Sequence, residues 1–337
     1  MEKVTSEKIK EKALRAGYSA CGIIPAKPFE EYRKSLDERV KAFPESAEDY
    51  KPLYKLVNPP EGGKSIIVAI LGQSKYKVPD SLANHIGRHY LFDNRIKYSE
   101  DYRCNQEFTA FLIMSGINLL PGGLPDRWAA AKAGVGKFGR NNFIYSVEHG
   151  SNLVIHTWTV DAALDYDTSP QNFIADECSE GCMVCVDSCP TNAMTDSMMM
   201  NRGRCVAQLS YHPKAPHDAA TREQMGSWLY GCEVCQKVCP MNNKFSGEID
   251  FPLLTEYEKY LQPESILEMD EKTYYTIVQP RFWYIKPEDI WLWKCNALRI
   301  MVNGGDSKYH SLIKKYCDHD DPRIKEVALW GCEELRL

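Results

Sequence analysis

A chain of 337 residues is long enough for two or three domains with a well-buried core. Its composition, 44% hydrophobic and 26% charged, is that of a soluble protein, and no apolar run is long enough to span a bilayer. A formal net charge of −5 argues against an extended nucleic-acid surface, which needs clustered Lys and Arg, though not against a local basic patch.

The first twelve residues are charged and helical in pattern, with no apolar stretch leading to a cleavage site. Together with 13 cysteines this places the chain in a reducing cytoplasm. Ser6 is the expected cap of a helix carrying Ile9, Ala13, Leu14 and Ala16, which Gly17 ends. Ala20 to Pro25 reads as a buried strand, and Ser65 to Leu71 as a second after the turn at Pro59-Pro60-Glu61-Gly62-Gly63. A helix is expected over 107–120, with Phe108, Phe111, Leu112 and Ile117, and a small-residue helix over 129–133 ended by Gly134-Val135-Gly136. Phe143 to Tyr145 and Leu153 to Val160 follow as strands. The fold class is therefore α+β: an α/β sandwich over 1–168, a cysteine-rich domain over 169–250 and a helical region over 251–337. In the last region Ala297, Leu298, Ile300 and Met301, a short helix at Leu312-Ile313, and Ile324, Val327, Ala328 and Leu329 give a HEAT-like tail. It is too short to stand alone and must pack on its neighbour.

Eight cysteines carry the chemistry. They read Cys178-x3-Cys182-x2-Cys185-x3-Cys189-Pro190 and Cys232-x2-Cys235-x3-Cys239-Pro240, with Cys205 between the runs. This is close to the ligand pattern of a bacterial ferredoxin with two 4Fe–4S clusters, where each run gives three ligands to one cluster and one to the other. The crossed pattern assigns Cys178, Cys182, Cys185 and Cys239 to one cluster, and Cys189, Cys205, Cys232 and Cys235 to the second. Zinc sites usually show two clean Cys-x2-Cys pairs far apart, and a disulfide framework suits short secreted chains. Cys21, Cys104, Cys295, Cys317 and Cys332 lack such spacing and read as buried structural thiols.

Several further segments resemble the corrinoid-dependent iron–sulfur reductases typified by epoxyqueuosine reductase, with reductive dehalogenases as a more distant branch. The likeness is carried by residues 9–18 with Cys21-Gly22-Ile23, by Ala131-Lys132-Ala133-Gly134-Val135-Gly136-Lys137-Phe138-Gly139-Arg140-Asn141, and by Leu209-Ser210-Tyr211 with Tyr230-Gly231-Cys232. The resemblance implies a base-off cobalamin between the α/β domain and the clusters, fed by the nearer cluster. It also implies an electron donor of ferredoxin or flavodoxin type, and a small-molecule or modified-nucleoside substrate. Gly134, Gly136, Lys137, Gly139, Arg140, Asn141, Asn142 and Tyr211 are then the candidate corrinoid-binding residues, since a glycine-rich turn with basic neighbours can hold amides or a phosphate. The same glycines mimic a dinucleotide fingerprint, but they follow a helical run and lack the later acid.

One departure bears on the substrate. The related enzymes carry an Asp-Ser-x-Pro stretch whose aspartate is the proposed proton donor, and an ungapped count back from Gly134 puts Leu120 there. Their Asp-Tyr-His appears as Asp101-Tyr102-Arg103. The expectation is a divergent paralogue with a different substrate that reduces epoxyqueuosine poorly. Asp126 is the nearest acid and the candidate donor, although it also suits the first turn of a helix. Tyr102, Tyr211 and His212 are alternative donors. The aromatic residues Phe282, Trp283, Tyr284, Trp291 and Trp293 read as core, and Met198-Met199-Met200 as a loop wall near the first cluster. Two other functions remain open: an electron-transfer protein that activates a partner's cofactor, and a true epoxyqueuosine reductase.

Overall fold

In the computed structural model, which describes residues 4–92, 95–213 and 215–337, the run Ser65–Gly72 is a strand with no exposed residue. It belongs to an antiparallel sheet of β1 (Ala20–Pro25), β2 (Ser65–Gly72), β3 (Leu119–Leu120) and β4 (Leu153–Val160), in the order β1-β2-β4-β3. Successive side chains of a strand point to opposite faces, so β2 feeds two cores at once. Ile66, Val68 and Ile70 enter one, and Ile67, Ala69 and Leu71 the other. Four helices cover these faces: α1 (Ser6–Ala16), α2 (Glu30–Ala42), α3 (Glu100–Met114) and α4 (Asp126–Lys132). Ile9 and Ala13 of α1 pack with Phe108 and Leu112 of α3 on the Ile67 side. Tyr32 and Leu36 of α2 pack with Ala129 to Ala131 of α4 on the Ile66 side. Each large apolar side chain so buried contributes roughly 1.5–3 kcal/mol. Of the first twelve residues, 1–3 lie outside the described ones.

Element ends follow capping chemistry. Thr5, not Ser6, caps α1 by accepting from the Lys8 amide, and Gly17 closes it in the left-handed region at φ +112°. Helix α3 begins seven residues before the expected start because the Ser99 hydroxyl accepts from the Tyr102 amide at 3.0 Å. It stops at Met114, which frees Leu119–Leu120 to pair with Val160 and Thr159 as an edge strand instead of ending a helix. The small residues of α4 have a purpose as well. A Cβ on Gly22 of β1 would lie 2.6 Å from the Ala133 carbonyl, so strand and helix end meet at backbone distance.

The C-terminal region holds α5 (Ile290–Gly304), α6 (His310–Tyr316) and α7 (Pro322–Glu334). Their core crosses the boundaries expected at 168 and 250. It takes in Tyr76, Leu82, Ile86, Leu91 and Phe92 from the first region and Leu229 and Tyr230 from the second. Tyr76–Lys77 pairs in parallel with Ile249–Asp250, and Arg281 donates to the Leu91 carbonyl at 2.9 Å. Asn296 of α5 donates to the Ser210 carbonyl at 2.8 Å and Arg299 to the Gly226 carbonyl at 2.7 Å, pinning the tail to the cysteine-rich region. Phe282, Trp291 and Trp293 are core, but Trp283 is 49% exposed, and Leu329 faces solvent. Among the residual cysteines Cys104 and Cys295 are buried, whereas Cys21, Cys317 and Cys332 are partly exposed and so depart from the expected burial. Among the described residues no helix is long and apolar enough to cross a membrane.

One buried group makes stability depend on pH. His156 on β4 is hydrogen-bonded to the Tyr18 hydroxyl at 2.7 Å, and burial pushes its imidazole down to about 4. An unfolded imidazole titrates near ~6.5, so between these values the unfolded chain binds the extra proton and the folded one does not. Stability is therefore retained above about pH 6.5 and falls as pH drops towards 4. Urea midpoints measured across this range should decline with acid in the parent and decline less in His156→Gln.

Candidate active site

Each cysteine run wraps one turn of helix. Val184–Asp187 carries Cys185, Val234–Lys237 carries Cys235, and the two turns pack together. Cys205 caps the short helix Val206–Tyr211. The thiols fall into two neighbourhoods. Burial, then Cys178, and further Cys239 and Cys182, push the Cys185 thiol up. Burial, then Cys232, Cys205 and Cys189, with Cys185 last, push Cys235 well up. Cys232, raised to about 12, has burial first and then Cys205 and Cys189 among its causes. Cys178, Cys182 and Cys239 thus act on Cys185, and Cys189, Cys205 and Cys232 on Cys235.

The residues also suit the group implied for them. Desolvated thiols crowded together resist ionisation unless a metal supplies positive charge. Backbone amides of Ala207 and Gln208 point at Cys205 and that of Val234 at Cys232, donors of the kind that stabilise cluster sulfurs. Among the described residues no three His, Cys, Asp or Glu side chains converge on the position of a single metal ion. That geometry is required of a zinc site but not of a cluster, whose four cysteines each bind a different iron.

Beside the second set lies a cavity of about 190 Å³ bordered by Cys189, Cys205, Cys232 and Cys235. It shares Arg127, Phe143, Met200 and Arg202 with a larger cavity of about 430 Å³ walled by the α/β region. Tyr32 and Arg39 of α2, Asp126 and Trp128 of α4, Asn142 and, from the tail region, Tyr284 line the larger space. All three regions of the chain thus contribute to one site. Met200 borders the cavity beside the second thiol set, and its hairpin packs against the helical turn that carries Cys185 of the first.

Asp126 is exposed and lines this cavity. Desolvation by the surrounding protein raises its carboxyl above the usual range, opposed by a 2.8 Å hydrogen bond from the Thr157 hydroxyl and by the Arg127 charge. Asp126 is also the acid in the first turn of α4, as its alternative reading expected, while its Oδ1 accepts from Thr157 on β4. Leu120 pairs with Thr159, two residues along the same strand, so Leu120 and Asp126 both reach β4 within two residues of each other's contact. Asp101 is fully buried and held by Gln73 and Tyr76, each at 2.8 Å. Tyr211 lines the thiol-side cavity, stacked on Tyr284 at 4.8 Å, and His212 packs edge-on against it.

The glycine-rich segment is divided between surfaces. Gly134, Gly136 and Lys137 open on a separate cavity, where the Lys137 amine is paired with Asp176 at 2.7 Å. Gly139 makes the turn, its amide donating to the Phe143 carbonyl. Asn141 donates to the Tyr145 hydroxyl at 2.8 Å and the Cys235 carbonyl at 2.9 Å, tying the turn to the cysteine-rich region. The Arg140 carbonyl accepts from the Met198 amide. Asn142, at φ +66°, faces the large cavity, and its Oδ1 accepts from Arg39. Its amide nitrogen and the Arg202 Nε are buried without a partner among the described residues. Unpaired donors on a cavity wall fit the amide and phosphate periphery of a corrinoid. Arg39 went unrecognised in the sequence, its signal being an arginine on the apolar stripe Tyr32, Leu36, Arg39, whereas Tyr284 was read as core and instead lines the cavity.

Comparison with known proteins supplies the context. Residues 177–242, which contain all eight cysteines, match a 4Fe-4S double cluster binding domain. The chain is 29% identical to the epoxyqueuosine reductase of Staphylococcus aureus over 96% of its own length and 87% of the relative's. To that of Cellulophaga algicola it is 26% identical, over 76% and 85%. The solved epoxyqueuosine reductase of Bacillus subtilis, seen with a catalytic aspartate loop swung out of its active site, superposes with a TM-score of 0.77 at 22% identity, covering 98% of this chain and 90% of that one. Another, in complex with an epoxyqueuosine-modified tRNA-Tyr stem loop, gives 0.77 at 22%, with 98% and 89% covered.

Proposed function

Because this chain belongs to the family of iron–sulfur oxidoreductases typified by epoxyqueuosine reductase, we propose that it is a cobalamin-dependent reductase of a modified nucleoside in tRNA, with Asp126 as its proton donor. The observation that carries the reading is that the cavity bordered by Cys189, Cys205, Cys232 and Cys235 and the cavity holding Asp126 share Arg127, Phe143, Met200 and Arg202 as walls. Full-length relatives weigh towards epoxyqueuosine itself, and against the different substrate that Leu120 suggested. An electron-transfer protein without a substrate would have no need of an acid hung in a cavity beside its clusters.

Asn142, Arg202, Arg39 and Trp128 are the residues that would hold the corrinoid. Bound there, it would supply a low-potential metal centre able to pass electrons from the clusters to the substrate. Expelling an epoxide oxygen as water takes two electrons and two protons. Asp126 would deliver one of those protons from its free oxygen, while Thr157 fixes the other oxygen and the orientation. Arg127 and Arg202 line the space with positive charge suited to a departing oxygen or a phosphate. A ferredoxin or flavodoxin-type protein is the proposed electron donor.

The direct test is epoxyqueuosine-containing tRNA given to reduced, cobalamin-loaded protein: queuosine should form, and no conversion would overturn the reading. Cobalamin itself should bind base-off and stay with the protein through desalting. Asn142→Gly keeps the left-handed backbone but removes the donor, which should weaken retention on the order of 10-fold. An unchanged base-on spectrum in the parent would refute the cofactor assignment.

A further inference from the structure

Cys317 and Cys332 bring their sulfur atoms to 3.1 Å, closer than ordinary van der Waals contact and about 1 Å from bonding distance. Cys317 caps the C-terminal end of α6 and Cys332 lies near the end of α7. Both are free and partly exposed, so a small reagent can reach them. They stand apart from the eight clustered cysteines, and Cys104 and Cys295 are buried. The Cys317 sulfur is also within 3.7 Å of the Ile313 carbonyl, which holds it over the helix end facing α7.

We propose that Cys317 and Cys332 form a dithiol modification site that closes to an intramolecular disulfide when a small-molecule disulfide, such as oxidised glutathione, acts as oxidant. One cysteine, having lost its proton, attacks a glutathione sulfur; that S–S bond breaks and one glutathione thiolate leaves. The second cysteine then loses its proton and attacks the mixed disulfide at the first cysteine's sulfur. The Sγ–Sγ bond forms and a second glutathione thiolate leaves. The protein loses two electrons and two protons, and one oxidised glutathione becomes two reduced molecules. Burial first, and next the Cys332 thiol, raise Cys317 to about 11, so the exchange runs over minutes to hours. The new bond ties α6 to α7 without touching the cluster ligands.

The test uses anaerobic holoprotein incubated with oxidised glutathione, alkylated, digested and weighed. The expected product is a cross-linked peptide pair containing Cys317 and Cys332, with cluster absorbance retained and a thermal midpoint raised by about 5 °C. Cys317→Ser should give no cross-link and a single glutathione adduct on Cys332; Cys332→Ser should give the converse. Should either serine variant fail to fold, the alanine variants serve the same comparison. Two free thiols in the parent after prolonged incubation would overturn the proposal. So would stable glutathione adducts on both cysteines, or a bond joining two chains.

Discussion

Asp126→Asn should slow turnover by about 10²–10⁴-fold, the range typical of a removed general acid, while cobalamin binding and cluster reduction stay as in the parent. The asparagine keeps the hydrogen bond from Thr157, so the local fold survives and only the proton is lost. The pH profile separates this from a packing defect. The acid must be protonated to act, and its carboxyl is raised above the usual range of about 4. The parent's rate should therefore fall as pH climbs through that raised value, and the limb should vanish in the variant. A variant as active as the parent would move the role to another group, such as Tyr284 in the same cavity or Tyr211 in the neighbouring one.

Anaerobically isolated protein should contain about eight iron and eight acid-labile sulfur atoms per chain, as two 4Fe–4S clusters require. Cys205→Ala should keep roughly half of each and lose all turnover. Cys205 stands with Cys189, Cys232 and Cys235 beside the cavity, so a cluster held there would be the one next to the substrate space. Zinc in stoichiometric amount with no sulfide would refute the cluster assignment. Loss of the other cluster in Cys205→Ala would refute the pairing.

The two thiol sets were legible because their chemistry is written locally. A run of four or three cysteines around one helical turn carries its own geometry, and the crossed Cys-Pro ends say where the fourth ligand comes from. The strands were legible for a similar reason: Ile66–Leu71 is apolar throughout, and its short length after a Pro/Gly turn fits a strand buried on both faces. The length of α3 was not, because one hydroxyl on Ser99 outweighed the apolar periodicity that began at Phe108. The cavity was legible only in part. Asp126 announced itself as the acid nearest a missing one, but its contact with Thr157 joins residues 31 apart. Tyr284 reaches the same space from a different region, and no local pattern encodes such a meeting. The glycine-rich segment misled in another way. Its nine residues look like one binding loop, yet the turn at Gly139 sends Lys137 and Asn142 to different cavities.

The shared core of the C-terminal helices sets an order of events for a nascent chain. Tyr76 to Phe92 emerge early, but the surface they bury against arrives only with Phe251 to Trp330, more than 150 residues later. At roughly 5–20 residues per second, that apolar stretch stays uncovered for about ten to thirty seconds of synthesis. Gly231, whose tight turn faces the Tyr90 ring, and Cys232 and Cys235 beside it emerge late in that interval but before α5 to α7, so these thiols are made before the last helices close. Cluster delivery to those thiols is therefore easiest before the last helices close. A chain shortened ahead of α5 should be one that chaperones hold and proteases clear, rather than a working two-domain enzyme.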